Sequence, residues 1–205
     1  MALPTPNQLP RHIARLCVFC GSSTGGNPGY SQAAAALGRQ LASRGITLIF
    51  GGGRVGLMGV LADAVLGAGG RAIGVMPKAL VEKEIAHTSL TELRVVNSMH
   101  ERKALMADLA DAFLLLPGSF GSWEEFCEVF TWLQLGVHRK PCGILNINGY
   151  YDALLAQCRR AVAEGFLPAP HLISLLVESD PKVILERLAA APVLQEAKWV
   201  GKSER

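Results

Sequence analysis

Ala112-Phe113-Leu114-Leu115-Leu116-Pro117-Gly118-Ser119-Phe120-Gly121-Ser122-Trp123-Glu124-Glu125 is the stretch on which the fold turns. An unbroken apolar run of strand character feeds a glycine-bearing turn, and the turn opens a helical pattern over 122–135. Such a turn leaves backbone N–H groups unpaired at the helix N-terminus, where the helix dipole adds positive potential, so it offers a seat to a phosphate. Glu124 and Glu125 stand one step beyond that seat. Acids in a first helical turn also simply complement the dipole, and this stretch alone leaves both uses open.

Working outward, the same alternation recurs along the chain. Apolar, β-rich runs at 16–20, 47–50, 71–75, 93–96, 112–116, 142–145 and 175–177 are separated by helical patterns at 31–43, 57–66, 99–110, 122–135, 152–163 and 181–189. Strands apolar on both faces require helices on both sides. The expected fold is therefore α/β, a doubly wound, Rossmann-like αβα sandwich with a mainly parallel sheet of about seven strands. One domain is expected over 14–192, with a flexible, Pro-rich arm at 1–13 and a tail at 193–205.

Two further turns follow predicted strands. Ser98 and Glu101 form a capping box that starts the helix at 99–110, yet Arg102 and Lys103 then occupy its first turns, where the dipole disfavours cations. An anion nearby would resolve the conflict; two solvated basic side chains would also tolerate it. Gly51, Gly53 and Gly56 satisfy G-x-G-x-x-G between a strand and a helix. A dinucleotide site also wants an acid at the end of the next strand, where this chain has Met76-Pro77-Lys78. These glycines are read instead as a close backbone approach, either to a ligand or to neighbouring elements.

Taken together, the three stretches resemble the Lonely Guy family. Its pattern joins a triple-glycine turn, a Met-His-x-Arg-Lys helix start and a Pro-Gly-Gly-x-Gly-Thr-x-x-Glu turn, in the order and spacing found here. The resemblance continues through 125–136 and 148–152 and covers roughly residues 14–180. It implies a phosphoribohydrolase that splits a cytokinin riboside 5′-monophosphate, or AMP, into free base and ribose 5-phosphate, although many members were labelled lysine decarboxylases. Which base is taken stays open, and so does the alternative of a nucleotide-binding sensor or carrier without catalysis.

The same resemblance assigns catalysis to Arg102 and Glu125, and substrate contacts to Glu84, Lys103, Ser119, Phe120, Gly121, Ser122, Trp123, Glu124 and Thr131. Glu84 would otherwise be a solvated charge, and Thr131 would otherwise bond back to a carbonyl of the preceding turn. Ser22, Gly52, Gly53 and Gly118 are the phosphate-binding candidates. The chain departs from the family pattern at Ser119, where the second glycine is expected, and at Ser122, where threonine is expected. If the turn keeps negative φ at Ser119, the hydroxyl adds a donor; if it demands positive φ, phosphate affinity falls.

Composition narrows the classes further. With 205 residues, 50% hydrophobic and 18% charged, the chain is long enough for a full core. A net charge of +3 is too small and too scattered for a nucleic-acid partner, and the apolar runs are too short for membrane spans. Five cysteines, an odd number on apolar segments, point to a reducing, cytoplasmic setting and away from disulfides. Cys17 and Cys20, three apart on one strand, face opposite sides and are expected to pack in the core. His100 stands alone, so no metal site is expected, and no lysine sits in a recognisable cofactor context, so no cofactor is expected either. The apolar residues of the 122–135 helix cover more than half its circumference, which points, with the resemblance, to a homodimer.

Overall fold

The computed structural model describes residues 11–82 and 86–193. Seven strands, β1 (Arg15–Phe19), β2 (Thr47–Phe50), β3 (Ala72–Pro77), β4 (Glu92–Val96), β5 (Ala112–Leu115), β6 (Cys142–Leu145) and β7 (Leu175–Glu178), form one sheet in the order β4-β3-β2-β1-β5-β6-β7. Every pairing between these neighbours is parallel. The doubly wound α/β reading of the sequence is thus the observed architecture.

Alternation along each strand sends side chains to two cores. On one face, Leu16, Val18, Leu48, Phe50 and Leu114 meet α1 (Pro28–Ser43), α2 (Gly56–Gly67) and α8 (Pro181–Ala190) through Leu37, Leu61 and Ile184. On the other, Cys17, Phe19, Ile49, Phe113 and Leu115 meet α4 (Met99–Leu109), α5 (Phe120–Gln134) and α6 (Asp152–Ala163) through Met106, Phe126 and Leu155. Each of the two layers removes an unbroken apolar surface from water, at about 25 cal/mol per Å². Cys17 and Cys20 fall in opposite cores, as their spacing requires.

Two short helices, α3 (Lys78–Val81) and α7 (Ala169–Ile173), are too brief for helical periodicity to register. Helix α1 starts three residues before the expected Ser31, with Asn27 as cap accepting from Gly29 N at 2.9 Å and Pro28 at its first position. At the N-terminal end, Arg11 N donates to the Ala189 carbonyl at 2.8 Å and Ile13 is buried, so the described part of the chain is already fastened to α8 there. No helix among the described residues is long and apolar enough to cross a membrane.

Strand order reverses between β1, which is followed in space by β2 on one side and β5 on the other. The loops after β1 and β5 leave the sheet in different directions and open a crevice at the carboxyl ends of the strands, the usual place for a ligand in such sheets.

Candidate active site

The crevice is built from the starts of two helices and the loop after β1. Helix α5 begins at Phe120, two residues before the expected Ser122, with Ser119 as its N-cap at φ −120° and ψ −157°. The Ser119 side chain makes no capping bond, and its carbonyl accepts from Trp123 N at 3.0 Å. Neither Gly118 nor Gly121 has positive φ. Gly118 is required by proximity instead: a Cβ there would stand 2.4 Å from Ser122 Oγ and 2.9 Å from Gly21 N. A Cβ on Gly121 would meet nothing within 4 Å, because that side of the helix start is open crevice. Of the two outcomes at Ser119, negative φ is the one observed.

Helix α4 supplies the basic side chains. Ser98 Oγ accepts from Glu101 N at 3.1 Å, and Glu101 Oε2 reaches back to Asn97 N at 2.8 Å, so the box closes one residue further out than Ser98. The two cations in the first turns are met by acids of α5: Arg102 Nη2 lies 3.3 Å from Glu125 Oε1, and Lys103 Nζ lies 2.5 Å from Glu124 Oε1 and 3.1 Å from Glu128 Oε2. The protein itself therefore provides anions that answer the unfavourable dipole position.

Burial separates the two pairs. The Arg102 and Glu125 side chains are only 12% and 13% exposed, whereas Glu124 is 56% exposed. Burial pushes the Glu125 carboxyl above its ordinary value of 4.5, and the opposing pull of Arg102 does not cancel it. For Lys103 the hydrogen bond to Glu124 comes first and raises its pKa. Cys20, at the end of β1, has its thiol pushed far up by burial and then by Glu125, so it is a protonated, apolar-behaving neighbour of the carboxylate.

The crevice encloses about 190 Å³ and is lined by Arg102, Glu124 and Glu125 together with Ser22, Ser119, Gly121 and Ser122. Through Ser22 and Ser119 it continues into a hollow of about 160 Å³ beside Gly118, Tyr30 and Tyr150. Tyr150 and Tyr151 brace this wall: their hydroxyls donate to the carbonyls of Gly118 at 2.5 Å and Leu116 at 2.7 Å. Lys103 stands behind the lining, held by Glu124.

Other residues singled out in the sequence lie elsewhere. Gly52 has φ +77° and its carbonyl accepts from His87 N at 2.8 Å, while Gly53 bridges antiparallel to Ala86. Both glycines serve this backbone approach, and neither lines the crevice. Phe120 is 81% exposed and tilts against Trp123 with ring centroids 5.1 Å apart. Thr131 is exposed and donates to the Cys127 carbonyl at 2.7 Å, the back-bonded alternative considered for it. Glu84 lies outside the described residues.

Sequence reasoning missed Cys20, Met58 and Met99 as lining residues. Met99 had a signal, since it precedes Arg102 by one helical step of three and so shares its face. Met58 had none, because it reaches the crevice from α2. Among the described residues no group of three or more His, Cys, Asp or Glu side chains is placed to hold a metal ion.

Comparison with known proteins adds three findings. The family model described as possible lysine decarboxylase matches residues 58–188. Two Arabidopsis thaliana proteins named cytokinin riboside 5′-monophosphate phosphoribohydrolase are similar over most of the chain. One is 50% identical over 168 residues, covering 81% of this chain and 79% of that protein; the other is 47% identical over 180 residues, covering 82% and 84%. Among solved structures, the molybdenum cofactor binding protein of Rippkaea orientalis superposes with a TM-score of 0.65 at 19% identity, covering 87% of this chain and 97% of that one. The molybdenum cofactor carrier protein of Chlamydomonas reinhardtii gives 0.65 at 18%, covering 87% and 99%. At such identities these two structures speak for the fold alone.

Proposed function

The chain belongs to the Lonely Guy family, and we propose that it is a nucleoside 5′-monophosphate phosphoribohydrolase, an N-glycosidase acting on a cytokinin riboside 5′-monophosphate or on AMP. The observation that carries this reading is the nearly buried Arg102–Glu125 pair at 3.3 Å, set beside the open N-terminus of α5. A binder needs the phosphate seat but has no use for a desolvated acid opposite a desolvated cation.

Cleaving an N-ribosyl bond builds positive charge on the sugar and negative charge on the departing base. Glu125, as a carboxylate, steadies the sugar and orients a water; the water oxygen bonds to the anomeric carbon and its proton passes to the carboxylate. The C–N bond breaks with its electron pair on the base, which takes a proton from solvent. Arg102 meets the base as a fixed positive charge. The backbone N–H groups at the start of α5, with the hydroxyls of Ser119, Ser122 and Ser22, take the 5′-phosphate.

The proposal extends to assembly and place. On α5, Phe120 and Cys127 are exposed and Trp123, Phe130 and Trp132 only half-buried, an apolar excess beyond the core-facing stripe that supports a homodimer, to be read by light scattering at micromolar concentration. The five cysteines are all free, which supports action in the cytoplasm, and residues 14–192 are taken as the catalytic domain. The deciding experiment incubates the protein with AMP and with isopentenyladenosine 5′-monophosphate and separates the products by chromatography. Free base with ribose 5-phosphate is expected. Nucleotide that binds and returns intact would replace this reading with the carrier alternative.

A further inference from the structure

We propose that Gly51 is a positioning residue for the reaction: its missing side chain is the slot that sets the Arg102 guanidinium against Glu125. This rests on the reading of Arg102 and Glu125 given above. A Cβ on Gly51 would stand 2.0 Å from Arg102 Nη2 and 3.2 Å from its Cζ, with Met58 Sδ next at 3.6 Å. The closest atoms are thus the far ends of two side chains. Gly51 does not have positive φ, so the backbone itself accepts alanine there.

Its neighbours in the same turn differ in kind. Gly52 and Gly56 have positive φ, and a Cβ on Gly56 or Gly59 would run into backbone at 2.2 Å. Gly51 alone of these is needed only because of what a functional side chain does above it. The arginine head has few other restraints: Nη2 meets Glu125 at 3.3 Å, Nη1 meets Met99 Sδ at 3.7 Å, and Nε is buried with no hydrogen-bond partner. Shape holds this group more than hydrogen bonds do. Restoring ordinary contact to a new methyl moves Nη2 by roughly 1.5 Å, and displacements near 1 Å at a reacting centre cost about a hundredfold.

The variants Gly51→Ala, Arg102→Ala and the double variant test this. Base release from AMP is expected to fall by about tenfold to a hundredfold in Gly51→Ala, and the double variant is expected to match Arg102→Ala within about twofold, because a methyl under a missing guanidinium has nothing to displace. The Glu125 carboxyl, followed by NMR, is expected to titrate higher in Gly51→Ala than in the wild type, toward its value in Arg102→Ala. The other groups that face it, Lys103 of α4, Glu124 and Glu128 of α5, and Cys20 and Cys17 of the first strand, are untouched by the change. Losses that multiply in the double variant, or a Glu125 titration that does not move, would overturn the proposal. If Gly51→Ala melts lower, adding Arg102→Ala is expected to restore it, and failure to do so overturns the proposal as well. A wild type that releases no base from either AMP or isopentenyladenosine 5′-monophosphate refutes the hydrolase reading instead, while the carboxyl titration still decides the role of Gly51.

Discussion

In the turn after β2, Gly52 and Gly56 take φ of +77° and +59°, and a Cβ on Gly56 would lie 2.2 Å from the carbonyl carbon of Ser22. In the turn after β5, no residue has positive φ, and serine occupies a position where the family pattern has glycine. Gly51 apart, the first turn spends its glycines on the frame, holding α2 against the loop after β1 and the strand ends against Ala86 and His87. The second keeps an ordinary extended backbone and leaves the start of α5 without a side-chain cap, open to the crevice. A glycine count alone would rank the two the other way round.

The sharpest way to break this contrast is to strike each turn and see whether chemistry or stability fails. Glu125→Gln, just beyond the second turn, is expected to lower turnover by about two to four orders of magnitude with an unchanged melting profile. Near-normal steady-state rates would remove the mechanism. Gly56→Ala, in the first turn, is expected to cost about 2–4 kcal/mol of stability in denaturant titration, since it combines positive φ with a backbone collision. Gly121→Ala is its counterpart: it lies in a helix with open space, so stability is expected to hold or rise by up to about 1 kcal/mol while nucleotide affinity drops.

A third test uses pH. Between 4.5 and the raised value of Glu125, the folded protein retains a proton that the unfolded chain has released. Stability from this group is therefore present in full below 4.5 and is lost as pH rises through the window, while activity rises over the same window as the carboxylate forms. Opposite slopes of melting temperature and rate, both absent in Glu125→Gln, are the expected signature. The smallest effect is expected for Ser119→Gly, which changes the Michaelis constant by less than about tenfold, or about 1.4 kcal/mol, because Ser119 already sits at negative φ. If that change switches on an activity the wild type lacks, the second turn is impaired and the contrast fails.

Much of the frame was legible because buried parallel strands carry apolar residues on both faces, so runs such as 112–116 stand out against helical spacing. The capping residues Ser98 and Glu101 were legible for the same local reason. What escaped depends on contacts between distant segments. The α5 start at Phe120 carries no side-chain cap, so nothing local marks it. Gly52 and Gly53 looked like phosphate ligands because their real partners, Ala86 and His87, come more than thirty residues later. The anion that answers Arg102 and Lys103 could be expected but not placed from the local sequence; three glutamates of the next helix supply it.

The central position of β1 also has a consequence for how the molecule comes into being. β1 pairs with β5 in register, Leu16 against Ala112, across roughly a hundred residues of intervening chain, the kind of non-local closure that slows folding. During synthesis, β1 to β4 can assemble as they leave the ribosome, since each lies beside its predecessor. The crevice has no second wall until β5 emerges and inserts beside β1. A nascent chain halted before residue 112 therefore lacks the completed crevice, and a nucleotide that binds there can stabilise the sheet only from the β1–β5 closure onward.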